Sequence, residues 1–218
     1  MEHLSAISFA VRKGLLAQGE SISLGHVQQL VAAALGHNNL ASYQASDDDA
    51  ALPVAKAVAF DHLLLATRAA ELGGNDHTVA RVLELVLQAC FPELDVYKSA
   101  ASLVEEWHLH CENAIANDDR VNGQTSMTNG TFPQAQDVDL PWWEDFGDYD
   151  SDLTHQHEGV VTVDQDPDRV YWGDEVDVSA QITVERFGRR LFGDCEVHVE
   201  SAKLRWLGHS DESPEPVE

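Results

Sequence analysis

The chain has 218 residues, with 13 Lys and Arg against 38 Asp and Glu, so its formal charge is -25. That balance excludes the globally basic surface that a free-standing nucleic-acid binder presents to phosphate, and 44% apolar residues exclude a wholly disordered acidic chain. No uninterrupted apolar run approaches the roughly 20 residues that span a bilayer, so no membrane segment is expected.

The acid is unevenly spread. Residues 1–112 carry -8, residues 113–168 carry -12 and residues 169–218 carry -5. The start, Met1 to Ala10, lacks the basic residues and long apolar core of a secretory signal. Cys90, Cys111 and Cys195 are odd in number and widely spaced, which does not make a disulfide framework. Both features lead us to expect a reducing, cytoplasmic setting.

The first part of the chain reads as helical. Ile7, Val11, Leu15 and Leu16 fall at helical spacing between Ser5 and Gln18, before Gly19. A second helix is expected from His26 to Leu35, with Gly36 suited to its left-handed cap. A short third helix covers Asn39 to Gln44, and Asp47, Asp48 and Asp49 follow as a negatively charged turn. Pro53 suits the first turn of a fourth helix reaching Leu72. The Gly73-Gly74-Asn75-Asp76 break precedes a fifth helix capped by Thr78 and ended by Pro92. Asp95 starts a sixth, fading near Ala116.

From Asn117 to His157 the periodicity vanishes, and Asn122-Gly123, Asn129-Gly130, Pro133 and Pro141 read as loop residues. A stretch that long without pattern reads as a linker. Beyond it, Val176, Val178, Ala180, Ile182 and Val184 alternate with polar residues, the period of a half-buried strand. Cys195, Val197 and Val199 form the inward set of a partner strand. At Ser201 the phase shifts to Ala202, Leu204 and Trp206, as a bulge or turn would produce. Val160 to Val163 and Val170 to Trp172 are further strand candidates.

The expected fold is therefore α+β: an all-helical domain of about six helices over residues 1–116, an acidic linker over 117–157, a small antiparallel β unit over 158–208 and a disordered acidic tail over 209–218. A β unit of about 50 residues is near the lower limit for its own core. It is expected to pack on the helices or to pair with another chain, which leaves a homo-oligomer open.

The stretch from Ile22 to Ala45 runs ISLGHVQQLVAAALGHNNLASYQA. It resembles the short helical module found in many bacterial glyoxalase-related proteins. Leu24, His26, Leu30, Ala32, Leu35, Gly36 and Ala45 carry the resemblance, over about residues 6–46. Gly25 stands where that pattern has Ser, and Leu40 where it usually has Trp. The resemblance implies an accessory helical module and no activity. The same stretch has the outline of a helix-turn-helix. Its candidate second helix holds no Lys or Arg and three aspartates follow it, which speaks against nucleic acid; a DNA-binding regulator is kept as an alternative.

His108, Cys111 and Glu112 share one helix face at i, i+3 and i+4, and His155 and His157 lie in the linker. Such side chains are zinc ligands by chemistry, although their spacing follows no standard zinc pattern. A zinc-binding protein or metal-dependent enzyme is therefore a second alternative. No catalytic motif with a Ser, Cys or Lys nucleophile is present, and carboxylates are too numerous for any pair to stand out, so a non-enzyme is favoured and no catalytic residue is assigned.

Trp142, Trp143, Glu144, Asp145, Phe146, Asp148, Tyr149 and Asp150 alternate aromatics with acids. They either strap the chain's own core or insert into a partner with a basic rim, the anatomy of a binding hot spot. Arg186, Arg189 and Arg190 form the main basic cluster, and pairing with the acidic linker is expected. The first functional reading is a non-catalytic, acidic bacterial interaction protein with a basic protein partner, for example an inhibitor or immunity-type binder of a nucleic-acid-binding protein, with no cofactor.

Overall fold

Polar side chains set where most of the helices begin. The computed structural model describes residues 2–128, 130–136, 138–141, 146, 151–165 and 175–205. In chain order its elements are α1 (Glu2–Ala17), α2 (Leu24–Ala34), α3 (Leu40–Gln44), α4 (Asp48–Ala51), β1 (Ala57–Ala59), α5 (His62–Leu72), α6 (Asp76–Cys90), β2 (Asp95–Tyr97), α7 (Ala100–Ala116), α8 (Asp119–Thr125), β3 (Gly130–Gln136), β4 (Leu153–Gln165), β5 (Glu175–Arg186) and β6 (Leu191–Leu204). Ser23, Asn39, Asp61, Asn75 and Asp118 each accept a backbone N–H of the first turn they cap. Such a cap stabilises a helix by about 1 kcal/mol. Gly36 ends α2 at φ +83°, where the N–H of His37 returns to the Ala32 carbonyl at 2.9 Å. That left-handed cap is one a Cβ would strain.

The six strands form one sheet in the order β2-β1-β6-β5-β4-β3. β1 runs parallel to β2 and antiparallel to β6, and β3 is antiparallel to β4. The chain divides into two compact units, residues 1–107 with 140–154 and 183–196, and residues 108–139 with 155–182 and 197–218.

In the first unit, Leu4, Ile7, Val11 and Leu15 of α1 are buried with Val27, Leu30 and Val31 of α2 and with Val79, Val82, Leu83 and Leu87 of α6. Each such side chain contributes roughly 1.5–3 kcal/mol on leaving water. In the second unit the buried set is Cys111 and Ile115 of α7, Val121 of α8, Val161 and Val163 of β4, Val176, Val178, Ala180 and Ile182 of β5, and Val199 and Leu204 of β6. The Leu204 N–H donates to Gln124 Oε1 of α8 at 3.1 Å. The burial phase of β6 slips between Val199 and Leu204 while the strand continues, at the place the sequence pattern slips.

The fold corrects the sequence expectation in three places. The region 1–116 is not all-helical, because β1 and β2 lie within it. Ala57, Val58 and Ala59 are all buried, so they show no alternation, and three residues are too few to establish a period. Their backbone is satisfied far away: the Lys56 N–H donates to the Phe192 carbonyl and the Ala59 N–H to the Arg190 carbonyl. The expected helix from Pro53 to Leu72 is therefore β1 followed by α5. Likewise Asp95 opens β2 rather than a helix.

The expected linker over 117–157 holds α8, β3 and the start of β4. β3 escaped notice because Phe132, at φ 54°, and Pro133 sit where its register with β4 shifts. A proline is tolerated in a strand at an edge or a bulge. The expected small antiparallel unit is instead part of a mixed six-stranded sheet in which β4, β5 and β6 run for 12 to 14 residues. Val170 to Trp172 and the tail over 209–218 lie outside the described residues.

Gly14 marks the tightest approach of α1 to α6. A Cβ there would stand 2.5 Å from Cγ1 of Val82, a side chain stiff at χ1. Ala normally stabilises a helix interior by about 1 kcal/mol over Gly. Here Gly14→Ala is expected to destabilise, by about 1–3 kcal/mol of overpacking. Urea denaturation checks the sign, and Val82→Ala in the same chain should recover part of the loss.

Candidate functional site

The turn joining β5 to β6, Phe187 to Arg190, concentrates the polar chemistry of the first unit. Arg190 Nη2 donates to Asp61 Oδ2 at 2.7 Å, with both side chains mostly buried. The other Asp61 oxygen caps α5 through the Leu64 N–H at 2.9 Å. The Arg189 N–H donates to Asp48 Oδ2 at 3.3 Å, and its guanidinium donates to the Gly36 carbonyl. Arg186 donates to the carbonyls of Phe146, Gly188 and Arg189. Asp152 Oδ1 accepts the Arg186 backbone N–H at 3.0 Å. The cluster thus pairs with the helical region and with Phe146 and Asp152, rather than with the acidic stretch alone.

Asp48 is shared. His37 Nε2 lies 2.9 Å from its Oδ2, and His37 Nδ1 lies 3.3 Å from Ser42 Oγ. Ser42, His37 and Asp48 have the order of a nucleophile, a base and an orienting carboxylate. The His37 ring is fully buried and packs edge-on against Tyr43 at 5.0 Å. The ring has no exposed face, and the arrangement ties α2 to α3 and α4.

Asp49 is also buried. It accepts the Leu4 N–H at 2.7 Å and the Tyr43 hydroxyl at 3.3 Å. Burial raises its pKa, but hydrogen bonds such as that from Leu4 outweigh it and hold the carboxyl below its usual range. Burial first, then the charges of Asp49 and Asp48, push the Tyr43 hydroxyl well above its ordinary value. Two of the three aspartates of the expected negatively charged turn are thus structural acceptors.

Of the aromatic–acidic segment, Trp142, Trp143, Glu144, Asp145, Asp148, Tyr149 and Asp150 lie outside the described residues. Phe146 is buried. Its ring stands 4.6 Å from Phe192 and 5.9 Å from Trp107, and the Arg190 guanidinium lies 5.5 Å above it. At this position the segment straps the core of its own unit.

The candidate metal ligands lie in the second unit, His108, Cys111 and Glu112 on α7 and His155 and His157 on β4. Among the described residues no three His, Cys, Asp or Glu side chains come together in a way that could hold a metal ion. Cys111 and His157 are buried, and no cysteine is in a disulfide. The helix-turn-helix outline has a second helix of five residues that buries Tyr43 and carries no cation.

The outer face of the second unit is polar and ordered. Gln156 of β4 donates through Nε2 to Ser179 Oγ of β5 at 2.9 Å and to Glu200 Oε2 of β6 at 2.8 Å. Glu158 and Asp164 are exposed on β4. The Arg205 guanidinium is held by Glu175 and Asp177.

Every arginine among the described residues has an acceptor within the chain. Arg12 donates to the Ile22 carbonyl. Arg68, Arg81 and Arg120 pair with Glu71, Glu84 and Asp118, and Arg186, Arg189, Arg190 and Arg205 are bound as described above.

No family model, curated protein or solved structure matches the chain. Among the described residues no helix is long and apolar enough to cross a membrane.

His157 supplies a test of the second unit. Burial lowers its pKa below 6.5 and the charge of His155 adds to this, while Glu158 and Asp139 act in the opposite sense. With the folded pKa depressed, the unfolded chain takes up the proton first as pH falls. Stability from this residue is therefore full above about pH 6.5 and is lost below it, down to the folded value. His157→Gln is expected to flatten the fall in urea midpoint between about pH 8 and pH 5.5. An unchanged slope would show that His157 is not held neutral.

Proposed function

We propose that the chain is a non-catalytic, acidic interaction protein whose partner is a basic protein. The observation that supports this is the asymmetry of charge use: the described arginines donate to or pair with acceptors inside the chain, whereas carboxylates such as Glu105, Glu106, Glu158, Asp164 and Glu200 stand exposed. A surface with that balance attracts a cationic partner over distances up to about 10 Å at ordinary salt and repels nucleic acid.

The polar row Gln156, Ser179 and Glu200 supplies an ordered face for such a partner. Successive outward residues on a strand are about 7 Å apart, so Gln156, Glu158, Thr162 and Asp164 offer acceptors along one line of β4. A basic partner whose own ligand is nucleic acid fits this reading best, because the exposed carboxylates Glu158, Asp164 and Glu200 then occupy the place of phosphates. In this reading the chain is an inhibitor or immunity-type binder.

Immobilised chain is expected to retain a basic protein at about 0.1 M salt and release it at about 0.5 M. The double variant Glu158→Lys, Glu200→Lys should retain it at least about tenfold less well. Retention that is indifferent to salt and to both reversals would contradict the proposal.

A further inference from the structure

β1 and β2 are a parallel pair, Ala57 beside Asp95 and Ala59 beside Tyr97, joined through α5 and α6. The Phe60 N–H donates to the Tyr97 carbonyl at 3.0 Å and carries the pairing one residue further. In open parallel sheets the crevice outside the carboxyl ends of the strands is where ligands settle. A cavity of about 180 Å³ lies at those ends here, wholly within the first unit.

Its wall has two parts. Phe60, Val96 and Ala80 supply apolar surface from the ends of the two strands and from α6. Arg81, Lys98, His62 and His77 converge on the same space, with Glu84 as its acid. Arg81 gives Nη1 to both oxygens of Glu84, at 3.0 and 3.1 Å. A guanidinium has five N–H donors, so that pair engages only the two on Nη1. With neutral histidines the formal charge of the lining is +1, from Arg81 and Lys98 against Glu84, in a chain of -25.

We propose that this cavity binds a small monocarboxylate with a short apolar body. The single net positive charge matches a monoanion rather than a dianion. The planar guanidinium of Arg81 suits a carboxylate, and Phe60, Val96 and Ala80 suit the hydrocarbon part. None of these residues belongs to the acidic outer face, so this site stands or falls apart from the proposed partner.

Calorimetric titration of the full chain with benzoate and with butyrate tests it, at a pH high enough that inorganic phosphate, the comparison, is doubly ionised. Saturable one-to-one binding of a carboxylate is expected, weakened about tenfold by Arg81→Gln and by Lys98→Gln. Ala80→Leu should abolish it by filling the cavity, and Arg120→Gln should leave it unchanged. The Arg81 side chain is 64% exposed, so its removal is not expected to disturb folding, and urea denaturation of the variant verifies that. Absence of saturable carboxylate binding, tighter binding of phosphate, or a wild-type affinity in folded Arg81→Gln would each overturn the assignment.

Discussion

A charged group that leaves water must find a partner, and in this chain that constraint falls hardest on the turn between β5 and β6. Arg190 meets Asp61 across 129 positions of sequence, and the Arg189 N–H meets Asp48 across 141. Either carboxylate left alone in that setting would cost several kcal/mol. The two contacts place Leu191 and Phe192, which follow directly, opposite Val58 and Ala57 of β1. Phe192 then packs with Phe146 and Trp107. The helices, the start of β6 and the Phe146 strap of the first unit thus depend on the Arg190–Asp61 ion pair and a few charge-assisted hydrogen bonds.

The same constraint shapes what the protein shows to its surroundings. Arginines such as Arg189 and Arg190 turn inward to a carbonyl and a carboxylate, and the excess of acids over bases sets the surface potential. The cavity at the ends of β1 and β2 is a local departure from this pattern, a place where Arg81, Lys98 and two histidines converge. The proposed basic partner and the proposed small-acid site both rest on this one distribution of charge.

Much of the secondary structure was legible because its partners are local. The stripe Val79, Val82, Leu83 and Leu87 reports α6, and the alternation Val176 to Val184 reports β5, since each segment has one buried face. The misread parts are those whose partners are distant. Ala57 to Ala59 is a strand only because β6 and β2 flank it. Asp48 and Asp49 read from sequence only as part of a negatively charged turn, and only the fold brings His37, Arg189, Leu4 and Tyr43 to them. Phe146 was recognised as part of an aromatic segment, but its neighbours Trp107 and Phe192 could not be read from spacing. The cavity has no motif at all, because its lining comes from three elements, α5, α6 and β2, and from the connections that follow β1 and β2.

The central claim is that the arginines of the β5–β6 turn act as internal structural partners. A double-mutant cycle on Asp61 and Arg190 tests it most directly. Asp61→Asn keeps an N-cap oxygen for α5 while removing the charge, and Arg190→Met removes the cation. Urea denaturation of the four chains is expected to give a coupling energy of about 1–3 kcal/mol. A coupling indistinguishable from zero, with both single variants as stable as the parent, would contradict the account.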